Sequence, residues 1–142
     1  MPEIADFIDD FELLGDWDAR YAYLSELGEQ LPPMPAELKT EENRVKGCMS
    51  TVHVAAAPDE ESGKIVYHGD CDTATIKGVV GILVQLLSHR TPQEVLDTDV
   101  DSLFKGLQLE EHLSPNRHFG IYAIVEQMKA QADAARRGSH NS

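Results

Sequence analysis

The segment NRVKGCMSTVHV, residues 43–54, carries the residues with the clearest potential for chemistry in this chain. Cys48 follows Gly47 directly, and two cations, Arg44 and Lys46, lie just upstream. The thiolate is the reactive form of cysteine, and nearby cations favour it. The segment contains no Asp or Glu, although the chain has 25 acidic residues. We therefore interpret Cys48 as a nucleophilic thiol in a locally positive stretch of an acidic protein.

Other interpretations of this thiol stay open on the residues alone. Cysteine is often a buried small apolar residue, and we interpret Cys71, in HGDCDT, as structural. A metal-binding scaffold could use Cys48, Asp70, Cys71 and a histidine such as His53 or His68, since a hairpin would bring them together. No CxxC or HxxxH spacing supports that site. A redox sensor or sulfur relay that joins the two cysteines is the third alternative.

Composition narrows the class of protein. The 142 residues are 42% hydrophobic, which is ordinary for one globular domain, and the formal net charge is −13. Such a surface would be repelled by nucleic acid and by anionic membranes, so a protein partner with a basic patch is expected instead. The acidic N-terminus lacks the layout of a signal peptide, and no apolar run is long enough to span a bilayer. We expect a cytoplasmic protein in a reducing compartment.

Periodicity predicts an α+β domain over residues 1–134, followed by a frayed tail over 135–142. Alternating residues predict a strand over 50–57, which a polar turn joins to a returning strand at 65–68. Cys48 then lies on a loop tip just before a hairpin, where Gly47 permits a tight bend. The predicted helices are those near 4–11, from Trp17 to Gly28, 74–88, 92–97, 99–107 and 115–134. The predicted core includes Trp17, Tyr21, Val79, Leu83 and Leu86.

Four sequence motifs resemble those of the SufE/CsdE family, and they occur in the family's order. They are DWDARYAYLSELGEQLPPMP, LKTEENRVKGCMSTVHV, YHGDCDTATIKGVVGIL and LQLEEHLSPNRHFGI. They resemble, in turn, the family's opening helix and proline turn, its active-site segment, the entry to its central helix and its last motif. The resemblance covers about residues 10 to 130.

The resemblance implies a compact α+β fold like that of IscU-type scaffolds and a defined function. In this family the loop cysteine, here Cys48, accepts sulfur from the persulfide of a cysteine desulfurase of the SufS/CsdA kind. It stimulates that enzyme and passes the sulfur to an iron–sulfur scaffold for cluster assembly. Pyridoxal phosphate belongs to the desulfurase, and the acceptor holds no cofactor of its own. We expect Cys48 to be partly buried in the free protein and to swing out on the partner.

Several residues are expected to support Cys48 or to contact the partner. They are Asn43, Arg44, Gly47, Ser50, His53 and Arg117. Asn43 and Arg44 could order the loop by hydrogen bonds or contact the desulfurase. Arg117 could supply a cation near the thiol, bind the partner, or have a structural role at the start of the last helix. Ser50 is expected to bond to the loop backbone, and His53 either tunes the thiol or lies on the exposed strand face.

The chain departs from the family pattern at five positions. His53 replaces a tryptophan, Met49 a glutamine and Cys71 a common serine. Gln108 and Phe119 stand where the last motif has Gly and Asn. These departures leave the roles of His53 and Cys71 unassigned.

Overall fold

Seven α-helices and one two-stranded sheet make up the regular structure of residues 2–140, the part of the chain that this computed structural model describes. Side chains are described as far as Gly138. The elements are α1 (Ile4–Leu14), α2 (Trp17–Glu29), a short 3-10 helix (Ala36–Leu38), β1 (Val52–Pro58), β2 (Ile65–Cys71), α3 (Ala74–Leu87), α4 (Pro92–Asp97), α5 (Val100–Gly106), α6 (Leu109–His112) and α7 (Pro115–His140). The predicted α+β class is confirmed.

The sheet is an antiparallel hairpin that short segments extend at both edges. β1 and β2 pair from Val52 opposite Cys71 to Pro58 opposite Ile65. Arg44 bridges to the outer edge of β1, and Arg90 bridges to the outer edge of β2. The segment that precedes Cys48 is therefore tied to the sheet.

Local sequence signals place the helix starts. The Asp16 side chain accepts a hydrogen bond from the Ala19 N–H at 2.8 Å and caps α2. Thr91 and Glu94 form a reciprocal capping box at the start of α4. Both caps use residue types that favour helix starts, and they fix where each helix leaves the loop before it.

The central helix α3 is buried along most of its length, in keeping with a sequence that is apolar nearly all round. It packs closely on α2 because Gly78 has no side chain. A Cβ at Gly78 would lie only 2.1 Å from the Leu24 carbonyl oxygen, which no side chain could tolerate. Val79, Leu83 and Leu86 are in the core, as expected.

Two predictions about packing and length need correction. Trp17 and Tyr21 are half-buried and pack against the edge of the core, where Trp17 stacks on the half-buried His112 ring with centroids 3.7 Å apart. α7 continues past residue 134 to His140, so the expected frayed tail is helical except at 141–142, which lie outside the described residues. Ion pairs from Arg136 and Arg137 to Asp133 support this last part of the helix.

No helix within residues 2–140 combines the length and the apolar character that crossing a bilayer requires.

Candidate thiol site

Cys48 occupies the tip of a loop between two paired segments. The Val45 N–H donates to the Val52 carbonyl at 2.8 Å, and the Val54 N–H donates to the Asn43 carbonyl at 3.0 Å. The chain must therefore reverse between residues 46 and 51. Gly47 has φ of +85°, a left-handed conformation that favours glycine, and it places Cys48 at the turn. The predicted loop position of Cys48 agrees with this geometry.

The thiol rests on the first part of α7. A Cβ placed on Gly120 would lie 2.9 Å from the Cys48 sulfur, so the sulfur occupies space that any other residue type would fill. Gly47 also lies against α7: a Cβ built on Gly47 would be 3.6 Å from the Phe119 ring and 3.8 Å from the Ala123 Cβ. Cys48 is half-buried as a result, which agrees with the expected partial burial.

Asn43 orders the loop rather than lying free at the surface. Its side-chain amide donates to the Leu38 carbonyl at 2.8 Å. Its own carbonyl accepts from the Gln127 side chain of α7 at 2.7 Å. Gln131, one turn further along, donates to the Val54 carbonyl at 2.8 Å. Of the two roles expected for Asn43, the structure shows the ordering role.

A second set of hydrogen bonds fixes the other end of the loop. The Ser50 hydroxyl bonds to the Thr73 hydroxyl at 2.7 Å, and not to the loop backbone as expected. The Asp72 carboxylate accepts from the Thr51 N–H at 3.1 Å, and the Asp72 N–H donates back to the Thr51 carbonyl at 3.2 Å. Of the two residues whose types could cap α3, Asp72 and Thr73, the N-cap position is taken by Thr73, and the Asp72 carboxylate faces the loop.

The two cations upstream of Cys48 are already paired. Lys46 forms an ion pair with Glu41, and Arg44 lies 3.9 Å from the other oxygen of the same carboxylate. The hydrogen bond and the charge of Lys46 lower the pKa of Glu41. The segment itself contains no acidic residue, but the Glu41 carboxylate lies against its two cations in the folded protein. The expected positive surroundings of the thiol are thus partly offset by the single carboxylate of Glu41, which lies two residues before the acid-free segment.

The second thiol, Cys71, is in the core. Its residue is 7% exposed, and burial raises the pKa of the thiol to about 11. The Thr73 N–H donates to this sulfur at 3.4 Å and opposes the shift in part, whereas the nearby charges of Asp72 and of a Cys48 thiolate add to it. Both cysteines are free thiols. The structural interpretation of Cys71 agrees with this placement.

The residues named for a metal scaffold do not converge. Asp70 is held by Lys39 at 2.8 Å and by Lys77 at 3.5 Å. Burial raises the pKa of Asp70, but the hydrogen bond from Lys39 and neighbouring charges leave it below its usual value. His53 pairs with Asp70 across the strands. Among the residues that the structure describes, no three His, Cys, Asp or Glu side chains are placed to hold a metal ion.

Arg117 lies one helical turn before Gly120 and is exposed. Its backbone N–H donates to the Ser114 hydroxyl at 3.4 Å at the start of α7. Its guanidinium makes no hydrogen bond or ion pair with residues 2–138, and it lines an open pocket with Tyr21 and His112. Arg117 is therefore available to a ligand or a partner.

Sequence reasoning missed three contributors to the site. Gly120 carries no chemical signal, Glu41 lies outside the acid-free segment, and Gln127 reaches the loop from a distant helix. Two apolar side chains near the thiol are also strongly exposed, Met49 at 80% and Phe119 at 66%. Both occupy positions where the chain departs from the family pattern.

The comparison with known protein families decides the classification. Residues 5–132 match the family described as "SufE: Fe-S metabolism associated domain". The chain belongs to the SufE family. The resemblance seen in the four motifs is thereby confirmed, and membership links this SufE protein to sulfur transfer in iron–sulfur metabolism.

Individual relatives agree with the family assignment. This SufE protein is 34% identical over 135 residues to an uncharacterised SufE-like protein of Rhizobium meliloti (strain 1021), a match that covers 94% of this chain and 96% of that protein. Its fold is similar to the solution structure of a hypothetical protein from Thermus thermophilus, with a TM-score of 0.78 and 26% identity. That match covers 96% of this chain and 97% of the other.

Proposed function

We propose that this SufE protein accepts sulfur on Cys48 from the persulfide of a cysteine desulfurase and passes it on to iron–sulfur cluster assembly. The observation that carries the proposal is the placement of Cys48, a half-buried thiol on a loop tip that rests over Gly120. The protein acts as an acceptor and as an activator of the desulfurase, not as an enzyme on its own. Pyridoxal phosphate is supplied by the partner.

The transfer is a thiol exchange that needs no oxidant. The Cys48 thiolate attacks the outer sulfur of the desulfurase persulfide. The sulfur–sulfur bond on the desulfurase breaks as the new one forms on Cys48, and the desulfurase cysteine leaves as a thiolate. Clearing the persulfide returns the desulfurase to its reactive form, which is why the acceptor is expected to increase turnover.

The loop geometry supports both protection and delivery of the sulfur. Hydrogen bonds to Asn43 and to Asp72 fix the two ends of the loop, while its tip is held mainly by packing on α7. Packing contacts around one small side chain cost little to break compared with a hydrogen-bonded strand. The tip can therefore move out to a partner while the ends stay in place.

The surface around the thiol has the character of a protein contact. Met49, which follows Cys48, and Phe119, which precedes Gly120, present exposed apolar side chains near the thiol. The rest of the molecule is strongly acidic, with a formal charge of −13. We expect the desulfurase to combine an apolar contact at this place with a basic surrounding, so its affinity should fall as salt rises.

Desulfurase turnover tests the proposal. Alanine formation from cysteine is measured with a desulfurase alone, with the wild-type protein, and with the Cys48→Ser and Cys71→Ser variants. Stimulation by wild type and by Cys71→Ser, but not by Cys48→Ser, is the expected result. Equal stimulation by the Cys48→Ser variant would overturn the proposed role of this thiol.

A further inference from the structure

The outer edge of β2 lies beside a pocket of about 420 Å³. On β1, the Val52 carbonyl and the Val54 N–H bond to the segment before the Cys48 loop, so these residues direct their backbone groups away from β2. Gly69 lies directly opposite Val54 on β2. Because the direction of the backbone groups alternates along an antiparallel pair, Gly69, Tyr67 and Ile65 direct their N–H and C=O groups to the outer edge of β2.

The chain itself covers the first part of this edge and leaves the middle open. Ile65 is paired with Arg90 in an antiparallel bridge. The Tyr67 N–H donates to the Ser88 hydroxyl oxygen at 2.9 Å. Within the described part of the chain, the Tyr67 carbonyl and the N–H and C=O of Gly69 have no hydrogen-bond partner. Both residues are buried, and buried backbone groups are rarely left unpaired.

A buried hydroxyl adds a further donor. Ser88 lines the pocket and is 5% exposed. Its oxygen accepts the Tyr67 N–H, but its own proton has no acceptor among residues 2–138. A hydroxyl both donates and accepts, so this proton is available to a ligand. The side chains of His68 and Gln85 also line the pocket, and they make no hydrogen bond or ion pair with the described residues.

The walls of the pocket are apolar and uncharged. They include Leu31 and Pro32, which follow α2, and Val84 of α3. No Asp, Glu, Lys or Arg is among the described residues that line the pocket, although 26% of the chain is charged. A charged ligand would lose hydration here without gaining an ion pair. A neutral segment with apolar side chains matches these walls.

The order of the free backbone groups favours an extended peptide as the ligand. The Tyr67 carbonyl, the Gly69 N–H and the Gly69 carbonyl follow one another along the edge as acceptor, donor and acceptor. A peptide in the β conformation presents the complementary order and turns alternate side chains toward the walls. A second copy of this chain does not fit, because its own free edge is buried behind the same walls. Two such edges could not approach to the strand spacing of about 4.8 Å.

We propose that this pocket binds an uncharged, extended segment of a partner protein, which pairs with Tyr67 and Gly69 as an added strand. The site is independent of sulfur transfer. No residue of the Cys48 loop, residues 46–51, is among the described residues that line the pocket. A partner held at the β2 edge therefore leaves Cys48 free to react with another protein.

Peptide selection supplies the probe for a test. A phage-displayed library of random dodecapeptides is panned on the full-length protein, immobilised through its C-terminus. Peptides from the enriched clones are synthesised with a fluorescent label, and their Kd is measured by anisotropy. We expect the enriched sequences to be uncharged, with apolar residues at alternate positions, because these features match the walls and the edge. Absence of any enriched peptide would overturn the proposal.

A substitution at the pocket locates the bound peptide. Gln85 is an exposed pocket residue of α3, and Gln85→Trp should weaken binding at least about tenfold because the indole occupies the space of the peptide. Gln93→Trp is the matched control, since Gln93 is an exposed helix residue outside the pocket. Equal affinity of the two variants would overturn the proposal. The Cys48→Ser variant should bind as wild type does, and a loss of binding there would place the peptide at the thiol site instead.

Hydrogen exchange at Gly69 tests the added strand itself. The Gly69 N–H has no partner in the described part of the chain, whereas the N–H groups of His68 and Asp70 face β1. Saturation with a selected peptide should slow exchange of the Gly69 amide at least about tenfold, as followed by NMR, and slow the other two less. Unchanged exchange at Gly69 would overturn strand addition. Protection that rises with protein concentration alone and is lost in Gln85→Trp would identify a second copy as the ligand, and the proposal would be wrong.

Discussion

The two cysteines of this chain show how placement separates a reactive thiol from an inert one. Cys48 is half-buried on a loop tip and rests on α7 at Gly120, where the loop can release it. Cys71 lies in the core at the end of β2, and desolvation raises the pKa of its thiol to about 11. Both cysteines lie at the same end of the sheet, because Cys71 pairs with Val52 and Val52 follows Cys48 by four residues. Access and solvation, more than residue type or proximity, distinguish them.

The largest expected effect concerns the reactivity of Cys71 in the folded and unfolded states. At pH 8, a pKa of about 11 in place of the ordinary 9.0 lowers the thiolate fraction of Cys71 about a hundredfold. In the Cys48→Ser variant, we therefore expect Cys71 to react with iodoacetamide at least about a hundredfold more slowly in buffer than in urea. Rates are followed by intact mass. Comparable rates in the two conditions would remove the contrast between the cysteines.

The same shift predicts a loss of stability at high pH. The folded-state pKa of Cys71 lies above its ordinary value of 9.0, so the unfolded chain loses the proton first as pH rises. The stabilisation is complete below pH 9 and is lost between about pH 9 and 11, with a full size of about 2.7 kcal/mol, of which about 2 kcal/mol falls between pH 8 and 10.5. Urea unfolding at pH 8 and 10.5 measures it. Between pH 8 and 10.5, the free energy of unfolding of the Cys71→Ala variant should fall by about 2 kcal/mol less than that of wild type. An identical fall in both proteins would contradict the prediction.

Gly120→Ala should sharpen the contrast from the other side. The new Cβ would lie 2.9 Å from the Cys48 sulfur, so the thiol must move outward. We expect alkylation of Cys48 to become about fivefold faster, while the stability changes by less than about 1 kcal/mol because alanine favours the helix. Gly138→Ala is the matched control in the same helix, since nothing lies within 4 Å of its Cβ position. A slower reaction in Gly120→Ala would mean that the sulfur is not held there.

Glu41→Gln gives the smallest expected effect. The substitution frees Arg44 and Lys46 from their shared carboxylate. The rate of Cys48 with the anionic disulfide DTNB should rise about twofold at low ionic strength and return to the wild-type value in high salt, because exposed charges are screened. The neutral reagent 4,4′-dithiodipyridine serves as the control. A rise with the neutral reagent would show that the loop, and not the local potential, has changed.

Sequence patterns predicted the elements of the fold better than the contacts at the site. Caps such as Asp16 and Thr91 are local signals, and the strand period and the loop position of Cys48 follow from neighbours in the chain. The contact of Cys48 with Gly120 and the hydrogen bond from Gln127 join positions far apart in sequence, and glycine carries no side-chain signal at all. The ion pairs of Glu41 could not be predicted, because the lack of acidic residues within 43–54 does not show which carboxylates approach that segment in the fold.

The central claim is that Cys48, and not Cys71, receives the sulfur. The most direct test is peptide mass analysis after incubation with a cysteine desulfurase and cysteine in the absence of reductant, with free thiols and persulfides trapped by alkylation. The account predicts one added sulfur atom on the peptide that contains Cys48, also present in Cys71→Ser. Sulfur on the Cys71 peptide of the wild-type protein, or on neither peptide, would contradict it.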